Sequence, residues 1–267
     1  LTAEDTGNKQ CRADGDHGEV VTEEECADEY EDGVMIETER LRLRPFRDGD
    51  AADVLEYLKE NPSLPVKLMR NDENYGLGGS QKMAFHYAVD HGYDYVCMLH
   101  GDDQGDIHDF IPMLEKKIYK KHDCVLGARF MRGSRLQGYS AFRTFGNIVY
   151  DFIFAFITKR RIFDLGSGLN MYSTKMLKDS FFEKFPDNLM FNYVMILASH
   201  YYDHDIIFYP VSWREEDQVS NVKMVNQAVS VLKMAFSYMF NKEVIKQEYR
   251  EEPREGYTCQ QITEIEE

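Results

Sequence analysis

The sequence predicts an α/β layer fold with a mostly parallel sheet, on three observations. Segments with strand patterning alternate with segments of helical spacing. One short run, Tyr95 to Leu99 (YVCML), is continuously apolar, as a central parallel strand covered on both faces would be. Hydrophobic residues make up 43 % of the 267 positions, enough for a sizeable core in a chain of one to two domain lengths.

In chain order, residues 1–33 combine acidic residues, Gly, Thr and Asn with almost no large apolar side chains, and are expected to be a disordered tail. From Val34 to Phe46, Ile36, Leu41 and Leu43 alternate with charges at the period of a strand. Asp48 to Asp50 offer caps for a helix over Ala51 to Lys59, which Pro62 and Pro65 stop before a strand at Val66 to Met69. An Asn/Gly stretch, Asn74 to Gly79, leads into a helix over Ser80 to Asp90, and the strand at Tyr95 to Leu99 follows. Further helices are expected over Asp109 to Lys120, Arg143 to Thr158, Met190 to His200 and Val222 to Phe240. Strands are expected at Cys124 to Ala128 and Ile206 to Trp213. The expected organisation is an acidic tail (1–33), one domain (34–241, with an atypical strand–helix opening at 34–63) and an acidic C-terminal tail (242–267).

Charge supports that division. The chain carries 31 Lys and Arg against 47 Asp and Glu, a net charge of -16, which argues against nucleic acid as a partner. Residues 1–33 hold 12 acidic and 2 basic side chains and residues 242–267 hold 8 and 4, so 34–241 is nearly neutral. Five cysteines (11, 26, 97, 124, 259) form no CxxC pair, and Cys97 and Cys124 lie in strand-like runs. Buried free thiols in a reducing compartment are the expectation. With neither a secretion-signal pattern nor a run of about 18 apolar residues, a cytoplasmic location is expected. Val149 to Ile157 (VYDFIFAFI), followed by Lys159, Arg160 and Arg161, reads either as a core helix or as an interfacial helix. In the second reading, residues 149–161 touch the inner face of a membrane.

In open α/β sheets ligands bind beyond the carboxyl ends of strands, and the acidic loop HGDDQGD (His100 to Asp106) follows the most apolar strand. Asp102, Asp103 and Asp106 are therefore candidates for metal or ligand contact. Hard cations such as Mg2+ or Mn2+ take one or two carboxylates and complete their shell with diphosphate oxygens. A solvated turn capping the next helix is the other reading.

Five segments, NYGLGGSQKMAF, YDYVCMLHGDDQGDI, CVLGARF, FDLGSGLNMYS and YPVSWREEDQVSNVKM, stand in an order that resembles family 2 glycosyltransferases of the GT-A fold. The resemblance runs from about Leu64 to Leu232. It is nearest the branch with dolichyl-phosphate mannosyltransferase and polyprenyl-phosphate sugar transferases. It implies a three-layer sandwich, a nucleotide-sugar donor, a polyprenyl-phosphate or saccharide acceptor, inversion at the transferred sugar, and Mg2+ or Mn2+. By resemblance, Asp102 holds the metal, His100 departs from the family's usual Asp, and Asn74, Gly76, Gly79, Asp103 and Gln104 lie on the donor side. Arg129 and Arg143 resemble acceptor-phosphate contacts, and Trp213, Arg214, Asp217, Ser220 and Asn221 resemble a closing loop. Asp164 is the first candidate for the residue beside the acceptor nucleophile and Asp187 the second; either must reach the acceptor to act as base.

The opening PxYNE-like and DDGS segments of the family are absent. In their place Met35 to Leu58 resembles the first strand and helix of a GNAT N-acetyltransferase, and GLGGS resembles its acyl-CoA loop. An acetyltransferase and a catalytically incomplete glycosyltransferase-like protein are thus the two alternatives.

Overall fold

The computed structural model describes residues 36–37, 42–43, 48–102, 104–214 and 223–263; the expected tail at 1–33 lies outside them. The chain divides into two compact units, residues 1–69 with 261–267, and residues 70–260. Residues 242–260 lie in the second unit. Apolar anchors override the charge of that C-terminal segment: Ile245 and Tyr257 are buried, and the Tyr249 N–H donates to the Lys184 carbonyl at 2.8 Å.

In the first unit β1 (Ile36–Glu37) and β2 (Arg42–Leu43) pair antiparallel, Ile36 opposite Leu43. The expected single strand is thus two short strands that satisfy each other. Helix α1 (Asp48–Glu60) begins three residues before the expected start, so Asp48 and Asp50 lie in its first turn and not at its cap; it buries Leu55.

The second unit takes in most of β3 (Met69–Asn71), which pairs with a C-terminal strand described below, and continues through α2 (Gly76–Asp90) and β4 (Tyr95–Leu99). The predicted helix over 109–120 is broken into a 3-10 turn (Ile107–Phe110), α3 (Ile111–Glu115) and a second 3-10 turn (Ile118–Lys121). Pro112 starts α3, and Lys117 takes a left-handed conformation at φ 54° that no helix continues through. Next come β5 (Cys124–Ala128), β6 (Leu136–Gln137), α4 (Ala141–Thr158), β7 (Leu169–Ser173), α5 (Thr174–Leu177) and α6 (Phe191–Tyr201). Then β8 (Ile206–Pro210), β9 (Trp213–Arg214), α7 (Lys223–Phe240) and β10 (Cys259–Gln261) complete the order. Pro210, lacking an N–H, ends β8 and separates it from β9 where one strand is expected.

The main sheet has the order β4-β7-β5-β8, with β7 antiparallel to both neighbours and β5 parallel to β8. It is a mixed sheet, which corrects the expectation of a mostly parallel one. The inserted strand, LNMYS, is masked in the sequence by Asn170. Its side chain bonds the Ser167 carbonyl at 2.9 Å and the Gly127 N–H at 3.2 Å, so a polar residue sits satisfied within a buried strand. Because β7 lies between β4 and β5, β4 is an edge strand with Leu99 44 % exposed and Cys97 exposed, not the central strand expected; Cys124 is buried.

Alternation along the strands divides the core. Cys124, Leu126 and Tyr172 face α2, α4, α6 and α7 through Phe85, Phe154, Phe191 and Tyr238. Val125, Leu169 and Met171 face Phe110, Met113 and Val211 on the opposite side. Helices cover one face and the 107–121 turns the other.

Candidate active site

Strands β4, β5 and β8 run in one direction, so their carboxyl ends gather at one end of the sheet. Beyond β4, the His100 N–H continues the ladder by donating to the Gly168 carbonyl at 3.1 Å. The chain then turns through Asp102, an exposed residue whose Oδ1 accepts the Gln104 N–H at 3.3 Å. The Gln104 carbonyl accepts the Arg214 N–H at 2.8 Å, and Gly105 bridges to Trp213. Strand β9 is held in place by parallel pairing with β6, Leu136 opposite Trp213.

Arg129 leaves the end of β5 and meets Asp164, from the loop between α4 and β7. Nε donates to Oδ2 at 2.7 Å and Nη2 to Oδ1 at 2.8 Å, the bidentate geometry that suits a guanidinium and a carboxylate. The Arg129 backbone N–H adds a third bond to Oδ2 at 2.8 Å, and the Gly166 N–H a fourth, to Oδ1 at 2.9 Å. Four donors fill the carboxylate's acceptor positions. The guanidinium lies near the rings of Phe130, Trp213 and Tyr139, 5.1, 5.2 and 5.6 Å from their centroids, and Arg143 lies 5.2 Å from the same Tyr139 ring. Asp102, Gln104, Arg129, Arg143, Asp164, Trp213 and Arg214, all singled out in the sequence, are thus linked into one constellation.

Its electrostatics follow from burial. Arg129 is 7 % exposed and Asp164 2 %. Burial works against the Arg129 charge, but the Asp164 carboxylate outweighs it and the guanidinium pKa is raised. Behind the pair, on α4, Asp151 is buried and its pKa is pushed up to about 8, first by burial and then by Asp164, with Arg129 opposing. The His100 imidazole is pushed below its ordinary value by burial, against the pull of Asp102 and with help from Arg129. Gly168 is required here: a Cβ would come within 2.6 Å of His100 Nδ1 and 3.1 Å of the Trp213 ring.

Asp187 sits in a separate cluster. Its Oδ1 accepts Lys82 Nζ at 2.7 Å and the Tyr257 hydroxyl at 2.6 Å, while its backbone carbonyl accepts the Gly78 and Gly79 N–H groups at 2.7 and 3.3 Å. Lys82 is fully buried and also donates to the Glu183 and Phe185 carbonyls at 3.1 and 2.6 Å. Burial pushes its pKa down, against the hold of Asp187. Asn74 accepts the Gly76 N–H at 3.1 Å, and Gly76 has φ +67° with no room for a Cβ against the Asp187 carbonyl, 2.6 Å away. The glycine corner therefore permits a close backbone approach, as the sequence suggests, but the partner is Asp187.

Asp103, Asp217, Ser220 and Asn221 lie outside the described residues. Among the described residues no group of three or more His, Cys, Asp and Glu side chains is placed to hold a metal. Asp102 alone fits a hard divalent cation only as a single protein ligand, with diphosphate oxygens and water supplying the rest. A cleft of about 540 Å3 opens at the opposite end of the sheet, beside Asp94, Lys121 and Thr174, and is lined by none of the candidate residues. Sequence reasoning missed Tyr139, Asp151, Gly168, Lys82 and Tyr257. An acid alone in an apolar helix and a tyrosine four residues before Arg143 were signals for the first two.

The fold is that of an α/β protein whose sequence-marked residues gather at the carboxyl ends of its parallel strands. Residues 46–181, just over half of the chain, match the family described as Glycosyl transferase family 2. The chain belongs to that family, and its mixed α/β architecture is consistent with a GT-A-like domain. The matched span takes in part of the segment that resembles an acetyltransferase. No curated protein matches the chain.

Proposed function

We propose that the protein transfers a sugar from a nucleoside-diphosphate donor to a phosphate-bearing acceptor, a polyprenyl phosphate, with inversion. The observation that carries this reading is that both candidate bases are already occupied. Asp164 accepts four N–H bonds, and Asp187 is held by Lys82 and Tyr257. A saccharide hydroxyl needs a base within hydrogen-bond reach, whereas an ionised phosphate oxygen needs none. Arg129 then recognises the acceptor: Asp164 and the aromatic rings fix its guanidinium, and its Nη1 has no hydrogen bond among the described residues. Asp164 is a positioning residue in this reading, and Arg143, sharing Tyr139, is the second cation at the acceptor.

In the reaction, a phosphate oxygen forms the bond to the anomeric carbon while the bond from that carbon to the diphosphate breaks on the opposite face. The bonding pair leaves on the nucleoside diphosphate. Positive charge grows on the sugar and negative charge on the leaving group, as in glycoside hydrolysis. Asp102 would hold Mg2+ or Mn2+, which when bound supplies Lewis-acid stabilisation of the leaving diphosphate. Gln104 and the turn held by Arg214 border the donor, and Trp213 closes over the site. Asn74, Gly76 and Gly79 shape the Asp187 corner, since the first N–H groups of α2 are taken by its carbonyl.

The test is transfer from a panel of nucleotide sugars, with Mn2+, to polyprenyl phosphate and in parallel to simple saccharides. Product on the phosphate acceptor, lost in Asp102→Asn, is expected. Transfer to saccharide hydroxyls with none to phosphate would overturn the acceptor assignment.

A further inference from the structure

Helix α4 buries one side, through Asp151, Phe154 and Ile157, and leaves the other uncovered. Phe142, Phe145, Val149, Phe152 and Phe156 are 84, 67, 38, 71 and 78 % exposed. Steps of three and four residues place them on one stripe along the helix. A patch of four exposed phenylalanines is far from the scattered apolar residues normal on a soluble surface. The helix extends upstream of the segment the sequence marks as interfacial, so the stripe begins at Phe142.

Charge around the stripe identifies its occupant. Between Phe130 and Phe163 the sequence has six cations (Arg132, Arg135, Arg143, Lys159, Arg160 and Arg161) and a single acid, Asp151, which is buried. Arg160 pairs with Asp203, while Lys159 and Arg161 are exposed and have no ion-pair partner among the described residues. This concentration of positive charge stands in a chain of net charge -16. A two-fold contact between copies of this chain would set the same cations against each other, whereas a surface of anionic headgroups pairs with them. Helix α4 has 18 residues, roughly 27 Å at the rise of an α-helix, and no helix among the described residues is long and apolar enough to cross a membrane.

We propose that α4 is an interfacial helix that lies flat on an anionic lipid bilayer, its phenylalanine stripe in the acyl–headgroup boundary and its flanking cations on the headgroups. The inference meets the lipid-phosphate reading of the acceptor, but binding to vesicles is read without donor or acceptor. Its failure would leave sugar transfer standing, and the reverse also holds.

The test is co-sedimentation of the full chain with vesicles of phosphatidylcholine alone or mixed with phosphatidylglycerol. Binding to the anionic vesicles at least about tenfold stronger than to the neutral ones is expected. Phe152→Ser with Phe156→Ser should reduce it at least about tenfold, with the circular dichroism unchanged because both side chains are exposed. Lys159→Glu with Arg161→Glu, which leaves the stripe intact, should also weaken it, and added salt should act in the same direction. Absence of binding, equal binding to both vesicle types, or unaltered binding by both double variants would overturn the proposal. A concentration-dependent dimer of the parent that the serine variants dissolve would do so as well, by assigning the stripe to a second copy.

Discussion

Removing the Asp164 carboxylate should destabilise the second unit more than almost any other single change at the site. Asp164→Ala leaves the Arg129 guanidinium, 7 % exposed, without its counter-charge, and strands the backbone N–H groups of Arg129 and Gly166 that bond the same carboxylate. Breaking one side of a buried ion pair costs about 3–5 kcal/mol, chiefly because the surviving charge is left desolvated. For a unit spanning residues 70–260 this corresponds to roughly 6–20 °C in melting temperature. Trp213 is the chain's single tryptophan and its ring lies 5.2 Å from the guanidinium, so its fluorescence reports the unfolding from the site itself. Urea titrations followed by Trp213 fluorescence and by circular dichroism give the loss directly. Arg129→Met with Asp164→Leu removes both charges and should recover a large part of the stability, giving a coupling of about 2–3 kcal/mol in the double-mutant cycle. A loss below about 1 kcal/mol for Asp164→Ala, or strict additivity of the two substitutions, would refute the description of the pair as a buried, mutually dependent unit.

Asp151 gives a pH dependence. Its folded pKa, about 8, lies above that of an unfolded aspartate, so the folded state holds the extra proton and the contribution of this group falls as pH rises from about 4 to 8. The slope is at most about 1.4 kcal/mol per pH unit, and the difference between Asp151→Asn and the parent in urea titrations from pH 5 to 8 should show it. Parallel curves would contradict the burial of that carboxyl. Lys82→Met removes the donor shared by Asp187, Tyr257 and two carbonyls, and should cost about 3–5 kcal/mol while exposing residues 247–263 to proteolysis; parent-like stability would count against the cluster. Gly168→Ala forces a methyl against His100 and Trp213, and should cost about 1–3 kcal/mol with a shift in Trp213 emission. An unshifted spectrum would show that the loop has room to move.

Much of the second unit was legible from periodicity. The runs at Tyr95 to Leu99 and Cys124 to Ala128 are strands, and α4, α6 and α7 lie within two residues of their expected positions. Strand direction was not legible, because it depends on β7, whose Asn170 breaks the apolar pattern and is satisfied only by tertiary contacts with Ser167 and Gly127. Nor was the state of the carboxylates. Asp164 stands out in the sequence as a candidate, but its bond to Arg129 joins positions 35 apart, which no local pattern reveals. The partners of Asp187 are hidden in the same way, a lysine and a tyrosine 105 and 70 positions away. Net charge says little about packing at the C-terminus: within the acidic stretch from Lys242, Ile245 and Tyr257 are buried and Tyr249 is packed on the core.

In the proposed function this constellation holds a nucleotide-sugar donor through its diphosphate. Calorimetric titration of the full chain with a panel of nucleoside-diphosphate sugars, with and without Mn2+, tests it most directly. At least one donor should bind, in a manner that requires the metal and disappears in Asp102→Ala, a change at an exposed side chain whose fold is checked by circular dichroism. No binding of any donor with Mn2+ present, or metal-independent binding that Asp102→Ala leaves intact, would contradict it.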